Sequence, residues 1–186
     1  MGTLLALSLP ANAANAQRWA SIVFDTAAAC EHVMSRHDRS SDLSRLNRTA
    51  GSGRFQHAPE LAATLRAARR WAERTSGGFD PTVAPLLDAW RRAGPRGRPP
   101  ATGTVRTACQ LVGWRTIDVR GAEVRLRRAG AALDLGAFGK GIALDRVVRD
   151  LRREGCAAAF MNFGESSLAA IGGPWRVMLR HPAGGF

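Results

Sequence analysis

With 186 residues the chain can bury a core and has room for about one domain of ordinary size. A hydrophobic content of 45% and a mean hydropathy of -0.16 describe a globular chain and exclude a disordered or membrane-embedded one. The net charge of +12 comes from arginines spread over apparent helix faces, as at Arg69-Arg70 and Arg152-Arg153. No aromatic-studded basic strand or reading helix accompanies them, so nucleic acid is not an expected partner.

The opening MGTLLALSLPANAANA has the apolar stretch and small-residue exit of a signal peptide. It lacks a basic leader, however, and its apolar run is short and broken by Pro10. Thr3–Leu9 therefore reads as a first strand, and no stretch of the chain reads as a transmembrane span. From about Asn15 to Arg36, Trp19, Val23, Ala27, Cys30 and Met34 recur at helical steps. HDRSSDLSRLNR (37–48) reads as serines and an aspartate capping a short helix. Pro59 opens the next helix, with Leu61, Leu65, Ala68 and Trp71 on its apolar face and Gly77-Gly78 as its stop. FDPTVAPLLDAW (79–90) is a turn and short helix; the Pro/Gly-rich 94–103 is a surface loop and the one linker candidate. Thr104–Leu111 is expected to be helical, and Thr116–Val119 and Glu123–Arg127 to form a hairpin. Ala132–Leu135 reads as a buried strand entering a glycine turn, followed by a helix over Ile142–Arg153. Ala157–Phe163, Ser167–Ile171 and Trp175–Leu179 read as three more strands. Cys30, Cys109 and Cys156 are far apart and read as small buried hydrophobes. His32, His37, His57 and His181 form no metal-type pair.

Four segments carry candidate chemistry. In LDLGAFGKGIALDRV, Lys140 is the chain's one lysine among 27 basic residues. A lysine is a compact point charge where arginine is a wide fork, which suits close approach to a phosphate. Glycines between strand and helix let backbone N–H groups reach an anion; the alternative is a glycine turn with a surface lysine. The spacing fits neither a Walker loop nor a dinucleotide fingerprint. In GGFDPT, Asp80 precedes a proline and is held extended, presenting its carboxylate, or else Asp80 or Thr82 caps the following helix. NFGES (162–166) presents polar groups on a tight turn, and SSDLSRLN (40–47) is a capped helix by default.

Taken in order, these segments resemble the FAD:protein FMN transferase family, the ApbE-like flavin transferases. MGT resembles the family's first-strand motif and Met34-Ser35 with SSDLSRLN its helix-end signature. GGFDPTVAPLLDAW resembles its T-x-G-x-x-D-x-T-v-x-P-L stretch and LDLGAFGKGIALD its D-L-x-x-x-x-K-G core. MNFGESSLAAIG with PWRVMLRHP resembles its N-x-G-G-D turn and the strand after it. The resemblance covers essentially the whole chain.

It implies an α+β fold of mixed or antiparallel sheets packed with helices, one domain over 1–186 and incomplete at the C-terminus. It also implies magnesium-dependent cleavage of FAD, with FMN passed to a threonine of an acceptor protein and AMP released. Met1, His37, Gly78, Phe79, Asp80, Asp134 and Lys140 would contact FAD, and the Ala137 carbonyl would ligate magnesium. No catalytic residue can be assigned. Three departures stand out. With no tyrosine in the chain, His37 takes the position of the ring that stacks on the ligand. Glu165 replaces a glycine. The family's later segment, with its histidine and its magnesium-binding Asp and Thr side chains, has no counterpart among these residues. The chain thus resembles the N-terminal two-thirds of such an enzyme, and a non-catalytic flavin-binding remnant, or a subunit completed by another chain, is the alternative. Family resemblance points to the periplasm or cell envelope, and MGT as a true start to the cytoplasm.

Overall fold

The computed structural model describes residues 2–53, 59–94 and 97–178. Contacts divide the described residues into two compact units, one within 29–139 and one of 2–28 with 140–178. The chain passes from one to the other within two helices, α1 (Ala16–Met34) and α6 (Gly136–Arg153). The proline-rich loop 94–103 therefore does not mark the division.

The first unit holds four helices and a hairpin between the last residues of α1 and the first of α6. α2 (Asp42–Arg48) starts where the serines predict, with the Ser44 N–H donating to Ser41 Oγ at 3.0 Å. Ser41 and Ser44 hydroxyls both donate to the Ser35 carbonyl, fastening α2 to the end of α1. α3 (Pro59–Arg74) buries Leu61, Ala62, Leu65, Ala68 and Ala72. Trp71, expected on that face, is 47% exposed with the Arg74 guanidinium over its ring at 4.9 Å. The turn from Ala68 closes on Ala72 instead, four residues on, because the buried stripe follows the 3.6-residue period.

α4 (Ala84–Ala93) and α5 (Thr102–Leu111) pack together, and β2 (Ile117–Arg120) pairs antiparallel with β3 (Glu123–Leu126) against α3. The expected strand at 132–135 is not one. Ala131, Leu133 and Leu135 are buried in alternation, but their segment pairs with no strand. Its backbone groups are met elsewhere: Asn47 clamps Leu133 through Oδ1 at 2.8 Å and Nδ2 at 3.1 Å, and the Asp134 N–H donates to the Pro81 carbonyl at 2.8 Å. Alternation reports burial, whereas a ladder also needs a neighbouring edge.

The second unit is a three-stranded antiparallel sheet in the order β1-β4-β5, with β1 at Leu5–Ser8, β4 at Ala159–Phe163 and β5 at Ser167–Ile171. Leu5 and Leu7 face Phe163 and Met161 across the β1–β4 pair, and Ala159, Met161 and Phe163 are buried. Ala143, Leu144, Val147 and Leu151 of α6 are buried as well. Thr26 of α1 donates to Asp150 of α6 at 3.3 Å. The strand expected at 175–179 is absent over 175–178, and Leu179 lies outside the described residues. Trp175 turns back instead, its Nε1–H on the Ile171 carbonyl at 3.2 Å and its ring stacked on Phe160 with centroids 5.8 Å apart. Among the described residues no helix is long and apolar enough to cross a membrane.

Candidate functional site

The glycine-rich core is organised differently from its sequence reading. α6 begins at Gly136, so Gly139, Lys140 and Gly141 lie inside its first turns and not in an open loop. The helix entry is set by Asp134, whose Oδ1 accepts the Gly136 N–H at 2.7 Å. A Cβ on Gly136 would lie 2.9 Å from that same oxygen. The glycine here makes room for the aspartate, and the anion at the helix N-terminus is the protein's own carboxylate.

Asp134 is held a second time by Arg36, which donates Nη1–H to Asp134 Oδ2 at 2.9 Å and Nη2–H to Asp88 Oδ1 at 2.6 Å. Arg91 stands further off, 3.7 Å from Asp88 and 4.0 Å from Asp134. Burial pulls the Arg36 pKa down, but its bonds to Asp134 and Asp88 outweigh that and hold the guanidinium above its ordinary value. Neither Arg36 nor Asp88 stands out in the sequence. An arginine just after a helix and an aspartate within another look like surface charges until the fold brings them together.

Asp80 is also engaged within the protein. Its Oδ1 accepts the Thr82 N–H at 2.8 Å and the Thr82 hydroxyl at 2.5 Å, and its Oδ2 accepts the Trp114 N–H at 3.0 Å. Thr82 Oγ1 in turn accepts the Gly113 N–H at 2.6 Å. The capping alternative is not realised: α4 starts at Ala84 behind Val83, with no side-chain cap. Phe79, next to Asp80, packs on Phe138 of α6 with ring centroids 5.5 Å apart. The Phe79 N–H donates to Thr75 Oγ1 at 3.0 Å, and Gly78 is exposed. His37 is exposed, its backbone N–H on Ser35 Oγ at 3.2 Å. Gly78, Phe79, Asp80, His37, Asp134 and Ala137 thus all belong to the first unit.

Lys140 belongs to the second unit, where its Nζ donates to Ser166 Oγ at 2.5 Å. Ser166 closes the β4–β5 turn, in which Gly164 and Glu165 have φ of +65° and +57°. Asn162 Oδ1 steadies that turn by accepting the Glu165 N–H at 2.9 Å. A cleft of about 370 Å³ beside the turn is lined by Thr3, Leu4, Ala6, Asn162, Gly164 and Glu165. Met1 lies outside the described residues.

The metal expectation rests on Ala137. As the second residue of α6, its carbonyl sits in a helical ladder. Among the described residues no group of three or more His, Cys, Asp or Glu side chains could hold a metal ion. The donor set present does not fit a hard divalent cation, which wants about six oxygens.

The family model described as "ApbE family" matches residues 1–185. A FAD:protein FMN transferase of Rhodobacter capsulatus is 32% identical over 149 residues, 76% of this chain and 28% of that protein. One of Treponema pallidum is 28% identical over 173 residues, 83% of this chain and 48% of that protein. The chain spans about half or less of the length of these curated relatives. Among solved structures, the ApbE protein of Thermotoga maritima matches with a TM-score of 0.78 at 26% identity, covering 92% of this chain and 56% of that one. The flavin transferase ApbE of Vibrio cholerae shares the fold, with a TM-score of 0.84 at 23% identity and 98% and 62% coverage. The α+β architecture with antiparallel sheets and helices is that of these structures, and the chain belongs to the ApbE family.

Proposed function

We propose that this chain serves FAD:protein FMN transfer, binding FAD and directing its FMN half to a threonine of an acceptor protein. What carries the reading is the family match over 1–185. Asp134 is oriented by Arg36 and the Gly136 N–H, and Lys140 by Ser166. In this reading Gly78, Phe79, Asp80, Asp134 and Lys140 are the FAD contacts that the resemblance implies. His37 offers its exposed ring for stacking, and Met1 a further contact with the flavin.

The reaction forms a bond between the threonine oxygen and the FMN phosphorus, breaks the pyrophosphate P–O bond, and releases AMP. The threonine proton passes to a base that these residues do not identify. Catalysis of such a displacement is mostly positioning and charge neutralisation. The Lys140 ammonium supplies charge for the pyrophosphate, since two of its three N–H donors remain after the bond to Ser166. Magnesium, which the resemblance implies, would gain at most the Ala137 carbonyl from this set, and no step is routed through it.

A second reading is a flavin-binding chain that does not itself complete transfer, since the chain spans about half or less of the length of its curated relatives. Incubation with FAD, magnesium and an acceptor bearing the target threonine separates the two. Covalent mass gain of FMN size supports transfer, and FAD binding without it supports the second reading. Lys140→Ala should weaken FAD binding by about 1.5–3 kcal/mol, the worth of a charge-assisted hydrogen bond. An unchanged dissociation constant refutes the role given to Lys140.

A further inference from the structure

We propose that Arg36 is a positioning residue that sets the Asp134 carboxylate for the dinucleotide, an inference that rests on the flavin reading above. Arg36 touches neither the glycine core nor the GGFDPT loop in sequence, yet its guanidinium bridges Asp134 and Asp88 while only 16% exposed. Asp134 is 10% exposed. An ionised carboxylate offers about four acceptor positions. Here Arg36 takes one on Oδ2 and the Gly136 N–H one on Oδ1, which fixes the plane of the group and leaves positions on each oxygen for a ligand donor.

The bridge needs a fork. One guanidinium reaches two carboxylates through separate nitrogens, at 2.9 and 2.6 Å, where a lysine ammonium is a single point. Arg91 is no substitute, being 52% exposed and 4.0 Å from Asp134, where solvent screens it. Without Arg36, Asp88 and Asp134 would keep Arg91 as their one cation among the described residues and repel each other. Asp134 would swing about its remaining bond to Gly136, and the entry of α6 would loosen with it.

A purely structural ion pair would stabilise the fold without acting on the ligand, so the test reads coupling on the ligand. FAD dissociation constants are measured by flavin fluorescence for the wild type, Arg36→Met, Arg36→Lys, Asp134→Ala and the Arg36→Met/Asp134→Ala double variant. Arg36→Met should weaken FAD binding about tenfold, within the range of coupling between contacting residues. Arg36→Lys should recover only part of that. In the Asp134→Ala background the same change should cost less than about twofold, because the group it positions is gone.

Equal losses in both backgrounds, or a lowered melting temperature with an unchanged dissociation constant, overturn the assignment while leaving the flavin reading intact. A wild-type chain that binds no FAD overturns both. Should Arg36→Met fail to fold, Gly136→Ala tests the same carboxylate from its other side, because its Cβ would stand 2.9 Å from Oδ1. It should weaken FAD binding in the wild type and not in Asp134→Ala, and equal effects in the two would count against the proposal.

Discussion

Replacing Asp80 by alanine should cost this fold more than any comparable surface change. The carboxylate receives three hydrogen bonds, from the Thr82 N–H, the Thr82 hydroxyl and the Trp114 N–H. Two are local and shape the turn before α4; the third reaches 34 residues along the chain to the segment that leads into β2. Trp114 is 8% exposed and Thr82 fully buried, so water cannot readily replace the lost acceptor. A hydrogen bond to a charged group is worth about 1.5–3 kcal/mol, and stranding a buried donor costs about 1–3. Counting the two Thr82 bonds as one local contact, the expected loss is about 3–4 kcal/mol, a large share of a typical stability of about 5–15. Asp80→Asn keeps one acceptor oxygen and the side-chain shape, and should lose about 1–2 kcal/mol. Urea denaturation followed by far-ultraviolet circular dichroism measures both. A loss below about 1 kcal/mol for Asp80→Ala would show that the clamp does not bear on stability, and would return Asp80 to a role in binding alone.

The β4–β5 turn makes a second test. Glu165 has φ of +57°, a left-handed conformation that costs a residue with a Cβ about 1–2 kcal/mol. Glu165→Gly should relieve most of that, less the added chain entropy of glycine, for a net gain of about 0.5–1 kcal/mol; a lowered melting temperature would refute the strain. The cysteines make a third. Cys109 is exposed and Cys30 and Cys156 are buried, against the expectation that all three would be. Burial pushes the Cys156 thiol above its ordinary range, only partly offset by a backbone hydrogen bond at Ala158. The stability this lends is present below the unfolded pKa and is lost as pH rises through the folded one. At mildly alkaline pH a disulfide reagent should therefore modify one thiol quickly in the native protein and all three only after unfolding. Rapid native modification of more than one would contradict the burial pattern.

Local signals in the sequence carried as far as local physics reaches. The serine cap of α2, the stop of α3 near Gly77 and the β2–β3 hairpin each depend on residues within a few positions, and each is found within about three residues of its expected place. What failed depended on distant partners. The segment 132–135 has a strand's alternation, but Asn47 and Pro81, many residues earlier, take its backbone bonds. Glycines 136, 139 and 141 suggested a loop because glycine weakens helices. Packing of Ala143, Leu144 and Val147 holds the helix together regardless, and Asp134 supplies its N-terminal acceptor. The Arg36 bridge was invisible for the same reason, since its two aspartates lie 52 and 98 residues away.

The solitary lysine shows how two weak local signals become one. Read apart, Lys140 could be a surface charge beside glycines, and NFGES a tight turn with polar residues. In the second unit they meet, Nζ on Ser166 Oγ, so the position of the ammonium depends on the geometry of the β4–β5 turn. Gly164 has φ of +65°, and a Cβ there would come within 2.4 Å of the Thr3 hydroxyl, so the close approach of the chain's first residues to the turn requires that glycine. Thr3, Gly164, Ser166 and Lys140 are thus one linked arrangement drawn from the beginning, the later strands and the glycine core of the chain. An arginine at 140 would carry the same charge, but its fork would have to fit a hydroxyl now 2.5 Å from a single nitrogen. In a chain that otherwise uses arginine throughout, that geometry gives a physical reason for lysine at this one position.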